Sequence, residues 1–276
     1  MLKKEQEYVK STFNEIAHKY DEIPFFKISA RHVVALIHKN KTEENLEILD
    51  VACGTGNVVL ECASCLPNAI FDAMDISEGM LAKAKVNAKE RDLTNINFKL
   101  QDITKLEVAK KYDVITCSYA LFFLPKAHEV LKILVSLLKE DGIVIFTSFT
   151  KEAFNPSSDI LLELLRKYGS NSAKEYDGEK WENLKQEKNI EYLCAMAGIN
   201  AVTIDSKAIR YGMNLDEWWE LFNNTGYKGM LMELSSEDYE KVKEEFFEGM
   251  AKELDSDGEV ELVADSYFVL LKNEEK

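Results

Sequence analysis

Three aspartates and a glycine-rich turn carry the chemistry that can be read from this chain. Asp50 lies in the short apolar run Ile48–Val51, Asp75 ends a second such run 25 residues later, and Asp102 follows a third. The first run leads into Ala52-Cys53-Gly54-Thr55-Gly56, where small residues and two glycines let a ligand approach the backbone closely. A buried aspartate is costly unless it meets donors, and a ligand ammonium with backbone N–H groups would satisfy Asp50. Asp75 can accept from two ribose hydroxyls, and Asp102 from an adenine amino group. Three carboxylates at three successive strand ends suit a small nucleoside with a cationic amino-acid tail and suit a pyrophosphate poorly. The dinucleotide fingerprint G-x-G-x-x-G lacks its third glycine here, because Val59 stands in its place, and no G-K-[S/T] of a P-loop follows.

Each of these residues also has a structural reading. Asp50 can cap backbone amides at the turn, and Asp102 can close an Asx turn. Asp75 can cap the following helix, although Ser77 fits that position better.

The elements that must position these groups follow from periodicity. Helical patterns run over residues 4–19 and 25–38. Strands at 46–51, 69–74, 96–100, 112–117 and 143–149 alternate with helices at 58–65, 78–90 and 127–138, and a turn is expected at Asp141-Gly142. That alternation predicts a mostly parallel sheet with helices on both faces. Beyond Thr150 the rhythm changes. Helices are expected at 159–167, 190–197, 215–222 and 236–251, strands at 201–209 and 260–271, and residues 168–187 are polar and poorly patterned. These later segments read as decorations and edge strands on one sheet. The chain is therefore taken as one domain: leader and lid 1–45, cofactor-binding core 46–150, and substrate-side insertions with the last strands 151–276.

Several classes of function are disfavoured. The net charge is −15, and Tyr211–Val260 holds 14 acidic against 4 basic residues, the wrong balance for a nucleic-acid partner. No apolar run approaches the ~20 residues of a membrane helix, and MLKKEQEYVK lacks the apolar segment of a secretion signal. A cytoplasmic protein is expected. The five cysteines, Cys53, Cys62, Cys65, Cys117 and Cys194, form no disulfide framework. The single C-x-x-C has no companion pair, so no metal site is expected.

The motifs together resemble class I S-adenosylmethionine-dependent methyltransferases, nearest to the ubiquinone/menaquinone-biosynthesis and general small-molecule branch. ILDVACGTGN is similar to that family's first motif, AMDISEGMLAKAK to its second, KLQDITKL to its third and YDVITCSYALFFL to its fourth, with TFNEIAHKYD resembling its leader signature. The resemblance covers Phe13–Phe149. It implies a Rossmann-like seven-stranded sheet with an N-terminal helical leader and helical C-terminal insertions. It also implies S-adenosyl-L-methionine as cofactor, with S-adenosyl-L-homocysteine as product.

Residue by residue, it assigns the cofactor to Tyr20, Asp50, Ala52, Cys53, Gly54, Thr55, Gly56, Asp75, Ile76, Met80, Asp102, Ile103, Cys117 and Ser118. Tyr20 can equally pack the leader against the sheet. Ala52 replaces the more frequent glycine of the first motif, and nothing from Lys151 onward matches a signature for a particular substrate.

The implied reaction is in-line SN2 displacement of the methyl group from sulfur to a small-molecule acceptor. The alternatives are methylation of a protein or RNA, or a non-catalytic regulator that binds the cofactor. If a base is needed, His18, His32 and Tyr119 are the candidates. The acceptor pocket is expected to be aromatic, with Tyr119 and at least one aromatic from residues 215–227 in its wall, so the acceptor is apolar or amphiphilic. Trp218 and Trp219 are adjacent on one helix and are not expected to share one core. Monomer and homodimer are both compatible with the pattern.

Overall fold

The computed structural model describes residues 2–106, 109–124, 126–177 and 180–272. The leader is helix α1 (Leu2–Ile16), a single 3-10 turn at Tyr20–Glu22, and α2 (Pro24–Asn40), which opens on Pro24 where a missing N–H costs nothing. The core alternates β1 (Glu47–Val51), α3 (Asn57–Cys65), β2 (Ile70–Asp75), α4 (Glu78–Glu90), β3 (Ile96–Leu100), β4 (Tyr112–Ser118), α5 (Ala127–Ser136) and β5 (Leu138–Phe149). The second half contains α6 (Ser157–Lys167), α7 (Asn171–Glu175), α8 (Glu187–Met196), β6 (Val202–Lys207), β7 (Arg210–Met213), α9 (Leu215–Asn223), α10 (Lys228–Leu231), α11 (Ser236–Met250), β8 (Val260–Val263) and β9 (Ser266–Lys272).

Seven strands form one sheet in the order β3-β2-β1-β4-β5-β9-β6. The first five are parallel, and β9 runs antiparallel to both β5 and β6. Alternate residues of each strand serve opposite layers. Ile48, Phe71, Val114 and Ile145 pack under α2 and α3, while Leu49, Met74, Ile115 and Val144 pack under α5 and α8. Strand order reverses between β1 and β4, which opens a crevice beyond their C-terminal ends. The glycine turn and Ser118 both lie there.

Three expectations are corrected. Residues 260–271 hold two strands, and β8 leaves the main sheet to pair with β7 in a separate antiparallel ribbon. Asp141 and Gly142 lie within the span of β5, where the register with β4 jumps from Tyr112↔Leu138 to Val114↔Ile143, so the expected turn is an irregularity inside the strand. Trp218 and Trp219 are both buried in one cluster. Trp218 donates to the Val260 carbonyl of the ribbon at 3.3 Å, while Trp219 packs on Tyr239, Phe246 and Phe247 of α11. Helix α9 is covered on two sides, so adjacent residues share a core.

The polar stretch 168–187 contains α7 and a 3-10 turn at Trp181–Asn183, with residues 178 and 179 outside the described set. No helix among the described residues is long and apolar enough to cross a membrane.

Candidate active site

The turn after β1 is built from left-handed backbone. Ala52, Gly54 and Gly56 have φ of 52°, 55° and 92°. Glycine takes this conformation freely, whereas the Cβ of Ala52 makes it strained. Asp75 locks the turn to the end of β2. Its two carboxylate oxygens accept from the N–H groups of Gly54 and Ser77, each at 2.8 Å. A carboxylate has about four lone-pair sites, so acceptor capacity remains for a ligand. Ser77 caps α4 by accepting from Met80 N–H at 3.1 Å, the role expected for it rather than for Asp75.

Asp50 is 2% exposed and pairs across the strand with Thr116, whose hydroxyl donates to its Oδ1 at 2.7 Å. Burial pushes its carboxyl up to about 7, and the Thr116 hydroxyl and Val59 amide only partly offset that. Its Oδ2 and the Ser118 hydroxyl are buried without a hydrogen-bond partner. Asp102 accepts from Thr104 N–H at 2.9 Å and pairs with Lys105 at 3.0 Å, closing the turn as its structural reading anticipated. It still borders the cavity described next.

Two cavities share walls at this end of the sheet. Tyr20, Ala52, Gly54, Asp75, Ile76, Met80, Asp102, Ile103 and Ser118 border the larger one. Asp50, Ala52, Cys53, Gly54 and Ser118 border its small continuation. Three of the assigned residues do not line either. Cys117 points into the layer under α5, and burial raises its thiol. Thr55 is fully buried and donates to Asp21, while Gly56 serves as N-cap of α3.

Sequence reasoning missed the polar residues that hold the leader over these cavities. Asp21 accepts from Thr55 and from Asn87 Nδ2, the latter at 2.7 Å, and Asn87 also donates to the Thr55 carbonyl at 3.1 Å. Asn14 accepts from the Ser77 hydroxyl at 2.7 Å and Gly79 N–H at 3.0 Å. Gln101 and Gln6 also border the larger cavity.

A third cavity, of about 290 Å³, meets the larger one along Val9, Phe13, Tyr20, Tyr119 and Phe123. Its wall is mostly aromatic, with Phe25, Phe26, Phe122, Phe149, Phe154 and Tyr227 among its residues. Tyr119 and Tyr227 take the positions expected of them, whereas Trp218, Trp219 and Tyr211 do not line it. Tyr20 stacks on Phe26 with centroids 4.5 Å apart.

None of the candidate bases is placed to act. His18 is exposed, with Nδ1 on the Glu15 carbonyl. His32 packs edge-on against Phe268, away from all three cavities, and burial lowers its pKa. The Tyr119 hydroxyl is held by Ser29 at 2.9 Å and Ser266 at 2.8 Å, and burial pushes it up to about 12. Its ring, stacked on Phe149, is what the cavity meets. No histidine, aspartate or glutamate lines the aromatic cavity among the described residues. No group of three or more His, Cys, Asp or Glu could hold a metal among them either.

A sheet of this order covered on both faces, with small-residue backbone and acidic groups at the β1 and β2 ends, defines an α/β domain with an acid-bordered crevice beyond its strands. Residues 42–198 match the family model described as a methyltransferase domain, and the chain belongs to that family. The malonyl-[acyl-carrier protein] O-methyltransferase of Halalkalibacterium halodurans is 32% identical over 158 residues, covering 54% of this chain and 58% of the relative. The carboxy-S-adenosyl-L-methionine synthase of Campylobacter concisus is 29% identical over 143 residues, covering 51% and 59%. The chain thus spans a little over half the length of these curated relatives. A crystal structure of a putative methyltransferase from Bacillus halodurans superposes with a TM-score of 0.57 at 16% identity, over 88% of this chain and 99% of that one, a likeness of fold.

Proposed function

We propose that this chain transfers the methyl group of S-adenosylmethionine to a small-molecule acceptor with an apolar body. The observation that carries this reading is the junction of the acid-bordered cavities with the aromatic cavity along Tyr20 and Tyr119. The orphaned Asp50 Oδ2 and Ser118 hydroxyl fit the amino-acid end of the cofactor, and the spare acceptor sites of Asp75 fit its ribose. Asp102 and Ile103 border the adenine side, and Tyr20 covers the site from the leader.

When bound, the cofactor supplies an electrophilic methyl on a sulfonium. The chain's own contribution is alignment and exclusion of water. The aromatic wall strips solvent from the acceptor, and the Ser29 and Ser266 hydroxyls hold the Tyr119 ring in place. With no acid or histidine among the described residues of that wall, the acceptor must arrive in its nucleophilic form, without a proton to lose first. A mostly aromatic cavity of about 290 Å³ in an acidic chain favours a small molecule over RNA or a protein surface.

Calorimetric titration tests the cofactor assignment. S-adenosylmethionine and S-adenosylhomocysteine are expected to bind at micromolar concentration, and NAD not at all. Because the ligand ammonium favours ionised Asp50, affinity should rise about fivefold from pH 6 to 7, below the range where an α-amino group deprotonates. Asp50→Asn should flatten that dependence. The stability of the ligand-free chain should move oppositely, falling as pH climbs from the ordinary aspartate range towards 7. There the folded state keeps a proton that the unfolded state releases. Affinity independent of pH in the wild type would contradict the placement of Asp50.

A further inference from the structure

The polar stretch 168–187 is poorly patterned in the sequence, yet among the described residues it supplies the one charged side chain that borders the aromatic cavity. Among the described residues of that wall only Lys185 carries a charge. Its Nζ lies over the Tyr176 ring, 6.0 Å from the centroid, and no carboxylate of the described residues comes within ion-pair distance of it.

A second polar group faces the same space. Thr225 is 8% exposed, its Oγ1 is buried without a hydrogen-bond partner, and it lines the same cavity. A buried hydroxyl left unpaired is unfavourable unless a ligand meets it. A purely apolar acceptor would leave the threonine hydroxyl unsatisfied and bring no partner to the lysine.

We infer that the acceptor is an amphiphile with an anionic head, carboxylate or phosphate, held by Lys185 while its apolar body lies against the aromatic wall. This rests on the reading of the aromatic cavity as the acceptor site. Lys185 is then a specificity residue: it selects charge and leaves the methyl-transfer geometry to Tyr20 and Tyr119. The anion gains a charge-assisted bond in a partly desolvated setting, where such bonds are stronger than in water.

The test compares octanoate, octyl phosphate and octanamide as cavity probes, titrated against the full chain with and without saturating S-adenosylhomocysteine. At least one of the two anions should bind about tenfold or more tighter than the neutral amide, the scale expected of a charge-assisted bond. Which anion wins identifies the head group. Lys185→Gln should bring all three probes within about twofold of each other, and Lys185→Arg should restore the preference. Equal binding of the amide and both anions to the wild type, or a preference that survives Lys185→Gln, would overturn the inference. Failure of S-adenosylhomocysteine itself to bind would instead count against the cofactor reading. The probe series without it still decides the role of Lys185.

Discussion

Asp75→Asn should weaken S-adenosylhomocysteine binding by about 100-fold or more, measured by titration calorimetry. The carboxylate is 8% exposed, braces the Gly54 and Ser77 amides and borders the cavity, and in the proposed function its spare acceptor sites take the ribose. Two hydroxyl-to-carboxylate bonds are each worth about 1.5–3 kcal/mol when one partner is charged. An asparagine keeps the shape but presents one amide NH2, which cannot accept from a backbone N–H. The loss should therefore fall on both the ligand and the glycine turn. Folding stability should change less than binding does. Burial raises the pKa of this carboxyl, so neutralising it removes a desolvation penalty that opposes the lost backbone bond. A dissociation constant within threefold of the wild type would contradict the role of Asp75.

Trp218→Ala should lower stability by about 3–5 kcal/mol, the range for deleting a fully buried tryptophan. The side chain is completely buried, packs at a tilt on Phe222 and hydrogen-bonds the Val260 carbonyl of β8, so its loss opens a cavity between α9 and the β7–β8 ribbon. For a chain of this size that corresponds to a fall in melting temperature of roughly 10 °C. We propose that leader, core and C-terminal layer form one cooperative domain, because Phe25 and Phe26 of the leader share a cluster with Trp218, Phe246 and Tyr119. Calorimetric melting should then show one transition, displaced as a whole. A second transition that moves alone would mean that the C-terminal layer folds as a separate unit.

What the sequence made legible follows from the range of the interactions involved. The β1–β5 alternation, the glycine turn and the acids at its edges are local patterns, and they emerged at the expected places. The clasp of Asp21 and Asn14 was invisible because its partners lie 34–66 residues away, and a polar residue on a helical leader looks solvated until they are known. Trp218 and Trp219 misled for the opposite reason. Helical periodicity assigns one apolar face, but the ribbon and α11 cover α9 from two sides.

Of the candidate bases, His18 and His32 border none of the cavities, and only Tyr119 does. Tyr119 reaches the site, yet its left-handed backbone (φ 52°) and the Ser29–Ser266 pair turn its hydroxyl away from chemistry and leave only its ring. Nothing in the one-dimensional pattern signalled Lys185. Lys185 is distinguished only by the cavity it borders, which the fold assembles from distant segments.

The central claim is methyl transfer to a small acceptor, and the most direct measurement is the fate of the methyl group. The purified chain is incubated with S-adenosylmethionine carrying a tritium-labelled methyl and a cell extract separated into small-molecule, protein and RNA fractions. Label should pass into the small-molecule fraction, into a species retained by an anion-exchange column, and the transfer should be lost with Asp75→Asn. Label accumulating in the protein or RNA fraction, or cofactor bound tightly with no label transferred to any fraction, would contradict it.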